Sequence, residues 1–224
     1  MKKFKVIALV LSFGLIAVGC NNTQKGAAIG AGGGALLGAI VGKLTGNTAV
    51  GAAIGTAVGT GAGALIGKKM DKVKAQAEQV KDAQVTEITD ANGLDAVKVT
   101  FDSGILFATN KSVLNAKSKG ELAKFSTVLK DNNQCYVDIY GHTDATGNDG
   151  INIPLSNSRA QSVATYLQSC GVSAAQLQNV SGKGSAEPIA DNASAAGRQQ
   201  NRRVEIYLYA SQAMVNAANN GTLN

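Results

Sequence analysis

Between residues 141 and 160 the chain brings one acid and one base to where they can act together. Gly141-His142-Thr143-Asp144-Ala145-Thr146-Gly147 ends an alternating, strand-like segment, Tyr136-Val137-Asp138-Ile139-Tyr140. Asn152-Ile153-Pro154-Leu155-Ser156-Asn157-Ser158-Arg159-Ala160 follows, with Ser156 placed to cap a helix over about 157–170 and Arg159 in its first turn. Asp144 at the end of one element and Arg159 at the start of the next can present opposite charges side by side. Such a pair suits a zwitterion: its carboxylate pairs with the guanidinium fork and its ammonium with the aspartate. The free N–H groups of the helix N-terminus favour the same carboxylate.

The same stretch argues against catalysis and against metal. His142 is the single histidine, and one imidazole without further ligands does not make a zinc site. No nucleophile stands with His142 and Asp144 in the order a triad needs. His142 is therefore read as positioning its loop, and Arg203 as a structural ion-pair partner.

The elements that must hold these residues fill positions 84–210. Val85-Thr86-Glu87-Ile88 and Ala96-Val97-Lys98-Val99-Thr100-Phe101 flank the polar turn Asp90-Ala91-Asn92-Gly93, a hairpin pattern. A helix is expected near 112–131, buried through Leu114, Leu122, Phe125, Val128 and Leu129. Further strands are expected at 177–183 and 203–209. Strands alternating with helices give an α/β (α+β) domain of two layers, with 211–224 left as a tail. Cys135 opens the strand that leads to Asp144, and Cys170 closes the helix that starts near Arg159. If these elements run antiparallel with similar lengths, the two sulfurs meet, so a Cys135–Cys170 disulfide is expected.

The N-terminus has a different character. Met1-Lys2-Lys3-Phe4-Lys5 precedes an apolar run from Val6 to Val18, and Ala17-Val18-Gly19 leads into Cys20. The run is too short for a span of about 20 residues and reads as a signal peptide over 1–19. A cysteine directly after small residues resembles the lipobox of bacterial lipoproteins, which implies acylation of Cys20 and a lipidated N-terminus, residues 20–25. Asn21 after it implies sorting to the outer membrane. Of the formal charge of +6, Lys2, Lys3 and Lys5 account for half, so the mature chain carries +3. No basic cluster with interleaved aromatics remains, and nucleic acid is not an expected partner.

Residues 26–67 hold 14 of the 27 glycines, with no acid and no aromatic. Gly recurs every fourth residue from 26 to 46 and again from 51 to 67. That step keeps the glycines on one helix face, where backbones can pack closely. Two helices, 26–43 and 49–67, form the expected hairpin, which resembles the glycine-zipper regions of envelope lipoproteins. Its insertion in the membrane and homo-oligomerisation through its glycine faces both stay open at this point. Residues 68–83, with Met70, Val73, Ala77 and Val80 as a narrow apolar stripe, read as a solvated helical spacer.

The motifs also carry a resemblance over about residues 95–210. Gly141 to Gly147, Asn152-x-x-Leu155-Ser156-x-x-Arg159-Ala160, Asn201-Arg202-Arg203-Val204-Glu205 and Phe101-Asp102-Ser103-Gly104 with Phe107 to Ser112 look like the OmpA-like peptidoglycan-binding domain. The resemblance implies a βαβαββ fold with a mixed sheet. It also implies non-covalent binding of the diaminopimelate of the peptide stem, with no reaction and no cofactor. By motif position, Asp144 holds the ligand ammonium and Arg159 its carboxylate, while Thr146, Asn152, Asn110 and Arg202 line or complete the pocket. The reading is then an outer-membrane lipoprotein that tethers membrane to wall through a periplasmic domain. Its alternative is a glycine-zipper protein that assembles in or perturbs membranes, with the wall-binding domain only localising it.

Overall fold

Why the sheet forms where it does is set by its turns. The computed structural model describes residues 58–59, 61–108 and 110–223; Cys20 and almost all of the expected glycine hairpin lie outside them. β1 (Ala83–Thr89) and β2 (Asp95–Asp102) pair antiparallel, with Thr89 opposite Asp95. The turn is fixed by Asp90, whose Oδ1 accepts hydrogen bonds from the N–H groups of Asn92 (2.8 Å) and Leu94 (2.9 Å), and by Gly93 at φ 76°. After α2 (Ser103–Leu106) and α3 (Ala116–Asp131), β3 (Cys135–Gly141) leads through α4 (Asp149–Ser169) and a 3-10 turn to β4 (Leu177–Gly182). α5 (Ala195–Asn201), β5 (Arg203–Ala210) and α6 (Gln212–Asn219) complete the chain. The strand order is β1-β2-β5-β3-β4, with β3 and β4 parallel and the other pairs antiparallel. The expected mixed sheet is present, and β1 and α5 extend the βαβαββ pattern.

Alternation divides the sheet residues between two faces. Val97, Val99, Phe101, Val137, Ile139, Val204, Ile206 and Leu208 join the helices in the main core. Tyr140, Tyr207, Tyr209 and Ala96 form a second cluster on the other face. Tyr140 and Tyr207 meet edge to face at 5.8 Å. Asp138, fully buried among them, accepts hydrogen bonds from Tyr140 Oη, Tyr209 Oη and Asn179 Nδ2.

Three expectations need correction. The helix α1 (Ala62–Ala77) crosses the expected boundary at 67/68, and it is not a solvated spacer. Ala62, Ile66, Met70, Val73 and Ala77 recur at helical spacing and are all buried in the main core. Their partners include α6, so residues 211–224 are not a loose tail: Ser211 caps α6 and Met214, Val215 and Ala218 are buried. No helix among the described residues is long and apolar enough to cross a membrane.

The second correction is α4, which begins at Asp149 rather than near 157 and runs through Pro154. Asn152 N and Ile151 N close its first turn on the Asn148 carbonyl, upstream of the proline whose missing N–H suggested a boundary. Ser156 is then not a cap. It lies buried inside the helix, donating to the Ile153 carbonyl and accepting from Gly184 N.

Third, Cys135 and Cys170 are free thiols. Cys135 faces the helix-side core, where burial pushes its thiol up to about 12. Cys170 caps the C-terminus of α4 and lies against Tyr166, one turn earlier on the outer side of that helix. The elements are adjacent, as expected, but the two side chains leave them in different directions.

Candidate ligand-binding site

The C-terminal ends of β3 and β4 lie directly beneath α4. A Cβ on Gly141 would clash with the Ser156 carbonyl, and one on Gly182 with the backbone of Asn157. Glycine at both positions lets the helix settle on the strand ends. This close approach brings the loop after β3, the N-terminal half of α4 and the α5–β5 junction together.

Asp144 stands in that loop, 8% exposed. Its Oδ2 accepts from Arg202 Nη1 at 2.6 Å and its Oδ1 from Thr146 N at 2.7 Å. Burial pushes its carboxyl upward, but the hydrogen bonds from Arg202 and Thr146 outweigh that and hold it below the ordinary carboxylate value. Asn152, buried on α4, donates Nδ2 to the Thr146 carbonyl at 3.1 Å and to the Asp144 carbonyl at 3.4 Å. It ties the loop to the helix. Asn192 braces the other side by accepting from Ala145 N at 3.0 Å, and it is held in turn by Asn201 Nδ2 at 2.9 Å.

Arg159 reaches the site from α4 and is 4% exposed. Its Nε donates to the Lys111 carbonyl at 3.1 Å, and its guanidinium lies 5.4 Å from the centre of the Phe107 ring. Among the described residues, its two terminal nitrogens have no hydrogen-bond acceptor. Burial, then the like charge of Arg202, lowers its pKa, while Asp144 offsets part of that. Two guanidinium groups and one carboxylate thus share the site, leaving it one positive charge. Each carboxylate oxygen of Asp144 still has a lone pair for a further donor.

The sequence-derived residues divide on this geometry. Asp144, Arg202 and Arg159 converge, but the direct partner of Asp144 is Arg202, across 58 positions, and not Arg159. Thr146 and Asn152 act on the loop itself. Asn110 stands exposed at φ 55° beside Lys111, whose carbonyl anchors Arg159. Phe107, Asn192 and Asn201 support the site without having been given a role in it; Phe107 and Asn201 stood inside the quoted motifs, and Asn192 had no signal.

Below the loop lies a second charged cluster. Arg203 is an ion-pair partner, with Nε 2.8 Å from Glu205 Oε1. Tyr207 Oη donates to Glu205 Oε2, and Lys98 Nζ lies 3.6 Å from Glu205 Oε1. His142 Nε2 approaches Glu205 Oε2 at 3.5 Å without hydrogen-bond geometry. Burial lowers the His142 pKa, so the ring is neutral near pH 7. With its backbone N–H donating to the Arg203 carbonyl at 2.9 Å, His142 fastens the loop to β5. Among the described residues no three His, Cys, Asp or Glu side chains gather as metal ligands.

Fold and site together define a small two-layer α+β domain that collects two arginines and an aspartate at one end of its sheet. Residues 106–202 match the model of the OmpA family, a span that contains every one of these residues. Residues 1–71 match the model of the YMGG-like Gly-zipper. The two matches lie one after the other along the chain, the Gly-zipper model ahead of the OmpA model. It is similar to the outer-membrane lipoprotein YfiB of Pseudomonas aeruginosa, 41% identical over 106 residues that cover 47% of this chain and 62% of YfiB. It is also similar to the peptidoglycan-binding protein ArfA of Mycobacterium tuberculosis, 41% identical over 111 residues, 50% of this chain and 34% of ArfA. The match spans less than two thirds of either relative. Among solved structures, the cell wall anchor of the T6SS from Pseudomonas aeruginosa superposes with a TM-score of 0.53 at 28% identity, over 63% of this chain and 97% of that one.

Proposed function

We propose that this chain is an outer-membrane lipoprotein that binds peptidoglycan without reacting with it and so links membrane to wall. The ligand group is the diaminopimelate side chain of the peptide stem, an amine and a carboxylate on one carbon. Its ammonium is taken by Asp144 and its carboxylate by the terminal nitrogens of Arg159, which have no acceptor among the described residues. Arg202 keeps Asp144 ionised and adds a second cation beside the carboxylate. Thr146 and Asn152 hold the loop, and Asn110 forms the rim. Cys20 carries the lipid in the outer membrane, and residues from about 61 onward form the periplasmic domain.

The observation that carries this reading is the paired geometry itself: a buried acid held ionised beside an arginine with spare donors. The names of the relatives support the wall and the outer membrane as the two ends of the link. Isolated sacculi test it. Wild-type protein is expected to co-sediment with them, while Asp144→Ala and Arg159→Ala each reduce binding by about tenfold or more, as expected for losing a charge-assisted pair. Undiminished binding by both variants would remove the site from consideration. The Gly-zipper match favours a second role for the N-terminus in membrane assembly; leakage of lipid vesicles on adding the mature full chain tests it.

A further inference from the structure

A groove lies beside the charged site. It has a volume of about 550 Å³ and runs between the start of α3 and the length of α4. One end begins at Ser112 and Ser158, the chain neighbours of Lys111 and Arg159. Since Arg159 Nε is bonded to the Lys111 carbonyl, the groove opens where the charged site ends. A ligand seated on Asp144 and Arg159 has this channel as an available path.

The lining indicates what would fill it. Seven of the eleven lining residues carry a hydroxyl or primary amide on Ser, Thr, Asn or Gln, so the walls can both donate and accept hydrogen bonds. No acid lines it, and Lys119 is its single cation. Between the polar groups stand apolar surfaces: Val113, 75% exposed, and the half-buried ring of Tyr166, over which Lys119 Nζ lies at 6.0 Å. Gln161 Nε2 lies 3.5 Å from Thr165 Oγ1, a long contact that a better acceptor could replace. A neutral polyhydroxylated ring with one C–H-rich face matches this lining, whereas a charged peptide would find one partner.

We propose that the groove is a saccharide subsite, binding an amino-sugar of the same cell-wall fragment whose peptide occupies the Asp144–Arg159 site. The proposal rests on the peptidoglycan reading above. It makes recognition bipartite: charge selects the stem, and hydroxyls and the Tyr166 ring select the glycan beside it.

Calorimetric titration of the mature full chain in detergent tests this with two probes. One is a tripeptide ending in diaminopimelate; the other is the same tripeptide attached to the N-acetylglucosamine–N-acetylmuramic acid disaccharide. Wild type is expected to bind the second about fivefold more tightly, the worth of one or two hydrogen bonds. Ser162→Tyr, which fills the groove, and Gln161→Ala, at an exposed position, are expected to abolish that preference and leave tripeptide binding unchanged. Equal affinity of wild type for the two probes, or full preference retained by both variants, overturns the subsite. Parallel loss on both probes also overturns it, assigning the groove to peptide. Wild type that binds neither probe fails the underlying reading, a result distinct from all of these.

Discussion

Asp144 can serve as an acceptor for an ammonium group only while it is ionised, and its surroundings decide that. Burial favours the protonated form; Arg202 and the Thr146 hydrogen bonds favour the charged one and prevail. A carboxyl held below its ordinary value keeps its charge as the pH falls through the usual carboxylate range. Without Arg202 the burial contribution is opposed by less, and the proton returns at higher pH. An Arg202→Gln variant is therefore expected to bind sacculi measurably at pH 7 and, on acidification, to lose binding at a higher pH than wild type does. Superimposable pH profiles for the two proteins would show that Arg202 does not control the ionisation. The local motif made Asp144 and Arg159 legible, because strand end, turn and helix start follow one another within 16 residues. The Arg202 pairing was not legible as a contact. It spans 58 positions and depends on β5 lying beside β3, which no spacing within either motif encodes.

At the level of elements, the placement of Arg159 depends on how closely α4 approaches the strand ends. Gly182 has the backbone of Asn157 and the hydroxyl of Ser156 against the place a Cβ would take, and Gly141 has the Ser156 carbonyl. Apart from that hydroxyl these are backbone groups inside a helix and cannot step aside singly. Gly182→Ala must move α4 outward, at a cost of roughly 1–3 kcal/mol as for other overpacked sites. Because Arg159 lies on the displaced segment, the variant is expected to weaken sacculus binding together with a lower urea midpoint. By contrast Gly120→Ala, inside α3 where the added carbon meets nothing, should leave binding unchanged and raise the midpoint slightly. A Gly182→Ala protein with wild-type midpoint and binding would refute the close-packing account. The sequence placed the helix but misjudged its start by eight residues, since Pro154 and Ser156 looked like a boundary. Tertiary bonds from Asn152 and Ser156 override that local preference.

For the whole molecule, the decisive feature is that the domain closes with segments from both ends of the described chain. Ile66, Met70 and Val73 of α1 enter the core beside Met214 and Val215 of α6, and Gly59 N donates to Asn219 Oδ1 at 2.7 Å. Neither stripe announced this. Lys68, Lys69, Asp71 and Lys72 surround the buried positions of α1, so its narrow apolar face resembled a solvated connector, and α6 alone is too short to signal a partner. Each buries its face only by meeting the other. The packed unit of the described residues thus includes α1, from Ala62 onward. Burying Ile66, Met70 and Val73 contributes roughly 5–8 kcal/mol as an upper estimate, comparable with the total stability of an ordinary domain. A fragment of residues 84–224 retains the family-matched core and every charged site residue, yet exposes Met214, Val215 and Ala218. It is expected to melt at least about 10 °C below a fragment of residues 58–224, at about 2–4 °C per kcal/mol for a chain of this size. Calorimetric scans of the two fragments decide it: melting points within a few degrees would mean that α1 is the detachable spacer its charges suggest.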